Sequence, residues 1–235
     1  MTFFKRTTCL LALAISVYAS AQDTPKDKKD WQQLGRYETA NLEVTADSDN
    51  SRRVVFLGNS ITDNWAKYRP DFFSSNGFIG RGISGQTSYQ MLARFPEDVI
   101  NLKPKLVVLN CATNDVAENT HHYDKERTLR NIKSMAQLAM ANDIKVILTS
   151  VLPAAKFGWN PSITDSSAKI AELNKSIKAL ADELNVPYVD YYSPMVAGEN
   201  KDLNPAYSND GVHPTESGYE VMEAIIVPEI RKIVK

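Results

Sequence analysis

Four short polar stretches of the 235-residue chain hold the groups that an acyl-transfer reaction needs. Ser60, in FLGNSIT, could supply a nucleophilic hydroxyl. Asp210 and His213, in DGVHPTESGY, could act as the orienting group and the base. Gly85 in SGQTS and Asn114 in ATND could donate hydrogen bonds to an oxyanion. Together these residue types predict a site at which a serine attacks an acyl carbonyl.

Each stretch taken alone also has a purely structural explanation. Ser60 could cap a helix, because serine is common at the N-cap position. Gly85 could occupy a simple turn, and the Asn114 side chain could stabilise one. Asp210 and His213 could be a turn residue and a surface residue. Four such stretches in this order, each after a predicted strand, favour the catalytic explanation.

Five apolar runs that alternate with helix-period segments predict the elements that position these groups. The runs are 53–58, 77–83, 105–110, 145–152 and 186–190. The first, third and fourth are nearly continuous, as in strands that are covered on both faces. Apolar residues at helical spacing predict helices between the third and fourth runs, between the fourth and fifth, and over about 215–233. The alternation predicts a three-layer α/β/α sandwich around a five-stranded parallel sheet with flavodoxin-like strand order.

The candidate groups all follow predicted strands. Ser60 follows the first run, Gly85 the second and Asn114 the third, while Asp210 and His213 come after the fifth. Ligand sites in open parallel sheets lie beyond the carboxyl ends of the strands. We therefore expect these residues to meet at one edge of the sheet.

In these stretches the sequence resembles the SGNH hydrolases, also called the GDSL lipase/esterase family, over about 53–230. The family is named for one Ser, Gly, Asn and His in four blocks, which Ser60, Gly85, Asn114 and His213 match. Within the family, the chain resembles the platelet-activating-factor acetylhydrolase-like and lysophospholipase members. The resemblance implies the flavodoxin-like SGNH fold and a carboxylic ester hydrolase that needs no cofactor.

The resemblance also implies a role for each residue. Ser60 would be the nucleophile, His213 the base, and Asp210 the group that orients the imidazole. The oxyanion hole would consist of the backbone N–H groups of Ser60 and Gly85 and the side chain of Asn114. Asp210 and His213, three residues apart, would come from a single loop.

Two residues depart from the family pattern. Asn59 stands where the first block usually has aspartate, and Ala112 stands where the third block usually has glycine. We expect activity to survive the first change with an altered pH response. The methyl group of Ala112 could crowd its turn.

The substrate is predicted only as a class: a short acyl ester, above all an acetyl ester, of a lipid or a carbohydrate alcohol. Phe157 and Trp159, after the fourth run, are candidates either to line the pocket or to take part in ordinary loop packing. His122, after the third run, is a further candidate to line the pocket. An apolar patch of several hundred Å² beside Ser60 would indicate a lipid ester. A shallow cleft with aromatic platforms would indicate a sugar ester.

The first residues of the chain predict export. Residues 1–21 have a basic start, an apolar run over 9–18 and the sequence Ala-Ser-Ala, the pattern of a secretory signal peptide. The apolar run is shorter than the roughly 20 residues of a spanning helix, so no stable membrane anchor is expected. Residues 22–52 are expected to be a flexible lead-in and a short helix, followed by the hydrolase domain over 53–235. The predicted location is secreted, in the periplasm.

Charge and composition narrow the partners. The net charge is −1, and without residues 1–21 the 25 remaining Lys and Arg face 28 acidic residues, a net charge of −3. The sequence has no block of basic residues outside residues 1–21, so nucleic-acid binding is not expected. His121 and His122 have no neighbouring Cys/His cluster, so no metal is predicted. Cys111 would be the one cysteine left, expected to be a buried apolar side chain. The oligomeric state stays open.

The sequence also bears on three functions other than that of an esterase. An α/β-hydrolase needs a G-x-S-x-G elbow, and the second glycine is missing after Ser60. A domain for a phosphate-bearing cofactor needs a glycine-rich loop, which the sequence lacks. A catalytically idle relative that binds carbohydrate or lipid remains open, and an ester assay would separate it from an enzyme.

Overall fold

Five parallel strands form the central sheet of the protein. The computed structural model describes residues 30–47 and 53–234. The strand order is β2-β1-β3-β4-β5. The strands are β1 (Val54–Gly58), β2 (Phe78–Gly82), β3 (Leu106–Asn110), β4 (Lys145–Thr149) and β5 (Tyr188–Val189). The predicted five-stranded sheet and its flavodoxin-like order are therefore confirmed.

The fourth strand ends three residues before the predicted position. Asn174 accepts a hydrogen bond from the backbone N–H of Val151 at 2.8 Å and donates one to its carbonyl oxygen at 2.9 Å. Because a side chain takes both backbone groups of Val151, this residue is not available to extend the strand ladder. The apolar run continues to Leu152, but the strand ends at Thr149.

Helices cover both faces of the sheet. They are α1 (Glu38–Ala46), α2 (Ser60–Tyr68), α3 (Pro70–Asn76), α4 (Ser88–Asp98), α5 (Thr113–Val116), α6 (Lys125–Ala141), α7 (Ser166–Leu184), α8 (Tyr192–Met195) and α9 (Glu216–Ile233). A two-stranded antiparallel pair, β6 (Val196–Ala197) with β7 (Asp202–Leu203), lies between α8 and α9. The helices predicted before and after β4 and at the C-terminal end of the domain correspond to α6, α7 and α9.

Two apolar clusters on opposite faces of the sheet explain why β1 and β3 are apolar throughout. Val55 and Val107 belong to the cluster that contains buried residues of α4, α6 and α7. Phe56 and Val108 belong to the cluster that contains buried residues of α2, α3 and α9. Successive side chains of a strand point to opposite faces, so each residue of a central strand meets one cluster or the other. The three-layer sandwich follows from this arrangement.

Level strand ends bring the connecting loops to one edge. Gly58 at the end of β1 pairs with Gly82 of β2 and with Asn110 of β3. The segments after these three residues therefore leave the sheet at the same level. Strand order reverses direction between β1 and β3, and such a switch point is the usual location of a ligand site in an open α/β sheet.

The chain before β1 contributes two short elements. A 3₁₀ turn at Leu34–Arg36 precedes α1, in the region of the predicted lead-in and short helix. Helix α1 has no buried residue. The predicted signal peptide, residues 1–21, lies outside the described residues. Among the residues described, no helix is long and apolar enough to cross a membrane.

Candidate active site

Ser60 is the first residue of α2 and is not its cap. Asn59, between β1 and α2, occupies the N-cap position and accepts a hydrogen bond from the backbone N–H of Ile61 at 3.1 Å. Gly58 allows the tight passage from strand to helix, because a Cβ there would lie 2.0 Å from the Thr62 hydroxyl oxygen. The capping explanation of Ser60 therefore does not hold, and its hydroxyl remains available for chemistry.

The Ser60 hydroxyl lies in a line with an imidazole and a carboxylate. Ser60 Oγ is 2.9 Å from His213 Nε2. His213 Nδ1 is 2.7 Å from Asp210 Oδ2. The two ring nitrogens can therefore serve different partners, with Nδ1–H donating to the carboxylate and Nε2 accepting from the hydroxyl. The structure brings the three predicted catalytic residues together.

The carboxylate of Asp210 is fixed by its own loop. Its Oδ1 accepts hydrogen bonds from the backbone N–H groups of Val212 at 2.9 Å and His213 at 2.8 Å. Partial burial alone would raise the pKa of Asp210. The backbone N–H groups and the His213 side chain outweigh burial and lower this pKa to about 2. The carboxylate is therefore ionised at neutral pH and can stabilise a positive imidazole.

A hydroxyl closes the loop around the pair. Ser208 Oγ donates to the carbonyl oxygen of His213 at 2.8 Å and accepts from the backbone N–H of Gly211 at 3.0 Å. Gly211 has φ of 78°, a conformation that glycine adopts at little cost. The relative placement of Asp210 and His213 is thus set within residues 208–214.

The contact between Ser60 and His213 depends on how α2 packs against α9. Tyr219 of α9 donates its hydroxyl to the carbonyl oxygen of Ile61 at 2.8 Å. Trp65 of α2 stacks on Tyr219, with ring centroids 5.5 Å apart, and donates its indole N–H to Glu223 at 3.1 Å. Sequence reasoning missed these positioning residues, although the apolar pattern of α9 placed the helix itself.

The second and third blocks are linked directly. Asn114 is the second residue of the short helix α5 and is 2% exposed. Its Nδ2 donates to the carbonyl oxygen of Gln86 at 2.9 Å. Gly85 precedes Gln86, and its carbonyl oxygen accepts from Asn119 at 3.2 Å. Asn114 is therefore held beside the loop that carries the predicted oxyanion glycine.

The reason for glycine at position 85 is conformational. Its φ is 80°, in the left-handed region, and a Cβ added there would meet no protein atom within 4 Å. The left-handed φ is therefore the reason for glycine at position 85, because other residues adopt this conformation at a steric cost.

A buried arginine, which sequence reasoning missed, ties the ends of β1 and β2 together. Arg94 of α4 is 0% exposed and donates from Nη2 to the carbonyl oxygens of Gly58 at 2.9 Å and Arg81 at 3.0 Å. Its Nε donates to Gln86 at 2.6 Å, and its Nη1 forms an ion pair with Asp98 at 2.8 Å. Burial lowers the pKa of Arg94, and the nearby Asp98 carboxylate opposes this effect. The network fixes the strand ends from which Ser60 and Gly85 extend.

Asp115 and Cys111 are both buried, and their environments indicate structural roles. Asp115 Oδ2 accepts from the backbone N–H of Ser88 at 2.9 Å, at the start of α4. Burial raises the pKa of Asp115, and hydrogen bonds from Ser88 and Thr128 oppose this effect. Cys111 is buried, as expected, and burial raises the pKa of its thiol well above the ordinary value. A thiol in this state is a poor nucleophile.

The three candidate pocket residues have different surroundings. Trp159 is 47% exposed, and its ring centroid is 6.1 Å from that of His213. Phe157 is 1% exposed and packs against Trp159 at 5.2 Å, so it supports that ring and does not line a pocket, contrary to the prediction. His122 is fully exposed and its Nδ1 lies 2.9 Å from Glu118 Oε2, a contact that does not involve the catalytic residues.

A groove of about 390 Å³ opens beside the imidazole, and we call it the His213 groove. It is lined by Asn64, Tyr68, Asn209, Asp210, His213, Pro214, Thr215 and Glu216. Over residues 30–47 and 53–234, no cluster of three or more His, Cys, Asp or Glu side chains could hold a metal ion.

The structure shows the environment of the two residues that depart from the family pattern, Ala112 and Asn59. Ala112 has φ of 86°, a left-handed conformation that disfavours any side chain. Asn59 is fully buried, and its Nδ2 has no hydrogen-bond partner in the described part of the chain. The Asn59 carbonyl oxygen still caps α2, as an aspartate oxygen would.

Two solved structures are similar to this chain over most of its length. One, from Bacteroides fragilis and named for acylhydrolase activity, is 60% identical with a TM-score of 0.87, covering 88% of this chain and all of its own. A GDSL-like lipase from Bacteroides thetaiotaomicron is 58% identical with a TM-score of 0.84, covering 86% of this chain and 98% of its own.

Curated relatives are more distant. An acetylxylan esterase from Geobacillus stearothermophilus is 24% identical over 77% of this chain and 94% of its own length. The chain spans only 16% of the multidomain esterase of Ruminococcus flavefaciens and 45% of the acetylxylan esterase of Xylanibacter ruminicola, two other relatives that it matches. The model of the GDSL-like lipase/acylhydrolase family matches residues 56–221, which include Ser60, Gly85, Asn114, Asp210 and His213. The chain belongs to the GDSL-like lipase/acylhydrolase family.

Proposed function

We propose that this protein is a serine carboxylic ester hydrolase that removes short acyl groups, above all acetyl groups, from an alcohol. The observation that carries the proposal is the continuous line of contacts from Ser60 Oγ to His213 Nε2, 2.9 Å, and from His213 Nδ1 to Asp210 Oδ2, 2.7 Å. Membership in an acylhydrolase family and relatives named as esterases support it. Cofactors and metals have no role in the proposed reaction.

The first half of the reaction forms an acyl-enzyme. Ser60 Oγ attacks the carbonyl carbon of the ester while its proton passes to His213 Nε2. The ester C–O bond then breaks, and the departing alcohol oxygen takes that proton from Nε2. Ionised Asp210 stabilises the positive imidazole between the two transfers.

The second half returns the enzyme to its starting state. A water molecule gives one proton to His213 Nε2 and attacks the acyl carbon. The bond to Ser60 Oγ breaks, the serine recovers its proton, and the carboxylic acid leaves. The net reaction converts one ester and one water into one alcohol and one acid.

The negative oxygen of each tetrahedral intermediate needs hydrogen-bond donors. We assign this role to the backbone N–H groups of Ser60 and Gly85 and to the Asn114 side chain. The link from Asn114 to Gln86 O, 2.9 Å, supports the assignment because it holds the amide beside the Gly85 loop. Each such donor contributes on the order of 3 kcal/mol to the transition state.

We also propose that the protein is exported to the periplasm or beyond. The basic start, apolar run and Ala-Ser-Ala sequence within residues 1–21 support this proposal. Removal of residues 1–21 would leave the whole matched family region intact.

Replacement of the nucleophile tests the proposed function. Ser60→Ala should lower turnover of p-nitrophenyl acetate by at least about a thousandfold, because the attacking hydroxyl is lost. Circular dichroism and the melting temperature should stay near those of the parent protein. Ser74→Ala, at an exposed serine on α3, is the matched control and should keep full activity.

Two results would contradict the proposal. Activity of Ser60→Ala within a few-fold of the parent would show that another group attacks the ester. An inactive parent protein across a panel of acyl lengths would indicate the idle relative that binds carbohydrate or lipid without hydrolysing it.

A further inference from the structure

We infer that the His213 groove binds the alcohol part of the ester and that its chemistry selects a carbohydrate ester over a phospholipid. This inference rests on the proposed function, since it assigns a substrate class to the same site. Four features of the groove carry it: its position relative to the imidazole, its hydrogen-bonding groups, its exposed aromatic ring and its charge.

The position of the groove follows from where the leaving alcohol must receive its proton. His213 Nε2 donates that proton, so the alcohol oxygen must come within hydrogen-bond distance of Nε2. His213 lines the groove, whereas Gly85 and Asn114, the proposed oxyanion groups, do not. The groove therefore lies on the alcohol side of the reacting carbon.

Asn64 and Tyr68 of α2 form one wall of the groove, and Ser60 lies on the same face of the helix. Ser60, Asn64 and Tyr68 are four residues apart, and residues at this spacing lie above one another on a helix. At 1.5 Å per residue, the distance from Ser60 to Tyr68 along the helix is about 12 Å. A substrate that extends from the reacting carbon along this wall meets an amide first and a phenol ring second.

The groove offers hydrogen-bonding groups that the protein does not use. Asn64 and Asn209 line it, and neither side chain forms a hydrogen bond with the rest of the described chain. An amide provides both donors and an acceptor, which suits hydroxyl groups. Glu216, exposed at the start of α9, adds a carboxylate acceptor. A polyhydroxylated alcohol could satisfy these groups, and an alkyl chain on the alcohol could not.

Two exposed aromatic rings lie in the region of the imidazole. Tyr68 is 52% exposed in the groove, and Trp159 is 47% exposed beyond His213. Tyr68 presents an apolar face together with a hydroxyl, which suits the mixed surface of a sugar. Trp159 presents an apolar face, because its indole N–H donates to Asn119 at 2.8 Å. The exposed large aliphatic side chains among the described residues are Leu42, Leu138 and Met140, and none of them lines the groove. A lipid tail would find little apolar surface there.

The charge of the groove opposes a phosphate group. Asp210 and Glu216 line it, and no Lys or Arg does. Arg69, one residue beyond Tyr68, is held by Glu220 at 3.1 Å and by Glu223 at 2.9 Å. A phospholipid headgroup would therefore meet carboxylates without a free cation, whereas an uncharged sugar would not be repelled.

The test compares an acetylated xylo-oligosaccharide with p-nitrophenyl acetate. Tyr68→Ala should lower kcat/KM for the oligosaccharide about fivefold to tenfold, mainly through KM, because the ring contact is lost. It should change kcat/KM for p-nitrophenyl acetate by less than about twofold, because that small ester does not reach Tyr68. Tyr68→Phe keeps the ring and should restore most of the oligosaccharide activity. Leu138→Ala, on the exposed face of α6, is the matched control and should change neither substrate.

A binding measurement removes turnover from the comparison. Ser60→Ala protein should bind the acetylated oligosaccharide in calorimetry, and adding Tyr68→Ala should weaken that binding by a similar factor. Faster hydrolysis of a lysophospholipid than of the oligosaccharide by the parent protein would overturn the inference. An equal loss on both test esters in Tyr68→Ala would also overturn it. In either case hydrolysis of p-nitrophenyl acetate would leave the proposed function standing, whereas its absence would remove both.

Discussion

At the scale of single residues, neighbouring side chains divide structural and chemical tasks. Asn59 caps α2 through its side-chain oxygen, so Ser60 can face His213. Ser208 closes the loop, so the Asp210 carboxylate can accept from the His213 ring and from two backbone N–H groups. This division of tasks between neighbouring residues explains why the four polar blocks could be identified from the sequence. Each contains one or two residues whose types suit the proposed reaction, surrounded by others whose types suit turns and caps.

Ala112 illustrates a residue whose type does not suit its conformation. At φ of 86°, alanine is strained by on the order of 1 kcal/mol, which glycine avoids. We predict that Ala112→Gly raises the free energy of unfolding by less than about 1 kcal/mol, because the greater freedom of glycine in the unfolded chain partly offsets the release of strain. Urea denaturation measures this change.

Ala117→Gly provides the comparison for that substitution. Ala117, five residues later, has an ordinary right-handed conformation, so glycine there should lower stability. Equal destabilisation by both substitutions would show that Ala112 carries no strain. The expected crowding of the third block is therefore a matter of backbone conformation.

At the scale of elements, the success of sequence reasoning depended on what each helix buries. Helices α6 and α7 bury apolar residues at regular spacing, and their positions were predicted. Helix α4 buries polar residues among its apolar ones, including Gln90, Arg94 and Asp98. An apolar-periodicity rule cannot recognise such a face, because the residues are buried through hydrogen bonds formed with distant parts of the chain.

We predict that Arg94→Met lowers the free energy of unfolding by about 3–5 kcal/mol. The substitution leaves the buried Asp98 carboxylate without its cationic partner, with a hydrogen bond from Asn41 remaining, and removes one donor from each of two strand-end carbonyl groups. Chemical denaturation of the parent and the variant gives the difference. Arg130→Met, at an exposed arginine of α6, should change it by less than about 0.5 kcal/mol. A loss below about 1 kcal/mol for Arg94→Met would mean that the buried ion pair contributes little.

At the scale of the whole molecule, the fold was predictable because it follows from alternating runs, and the site because parallel strands end at one edge. The groove was not predictable, since Tyr68 and Asn209 are far apart in sequence and become neighbours only when α2 meets the catalytic loop. Dependence on tertiary packing also explains why the burial of Phe157 was not predicted from the sequence. Its position beside Trp159 suggested a pocket, but burial beneath that ring is decided by packing of the loop after β4.

The whole molecule also determines the reactivity of its buried thiol. We predict that Cys111 is not alkylated by iodoacetamide in the folded protein, because burial excludes the reagent and keeps the thiol protonated. Mass mapping of labelled peptides distinguishes Cys111 from Cys9. Labelling of Cys111 should appear once guanidinium unfolds the chain. Rapid labelling in buffer would show that the third strand opens readily at its end.

The 153 positions between Ser60 and His213 have a consequence for when the enzyme becomes competent. Asp210 and His213 can adopt their mutual geometry locally, but the nucleophile reaches them only after α9 has docked on α2 through Tyr219 and Trp65. By the proposed mechanism, a nascent polypeptide that ends before residue 213 lacks the base and should not hydrolyse an ester. Ester cleavage during refolding would therefore report the docking of α9 on α2, and would begin late.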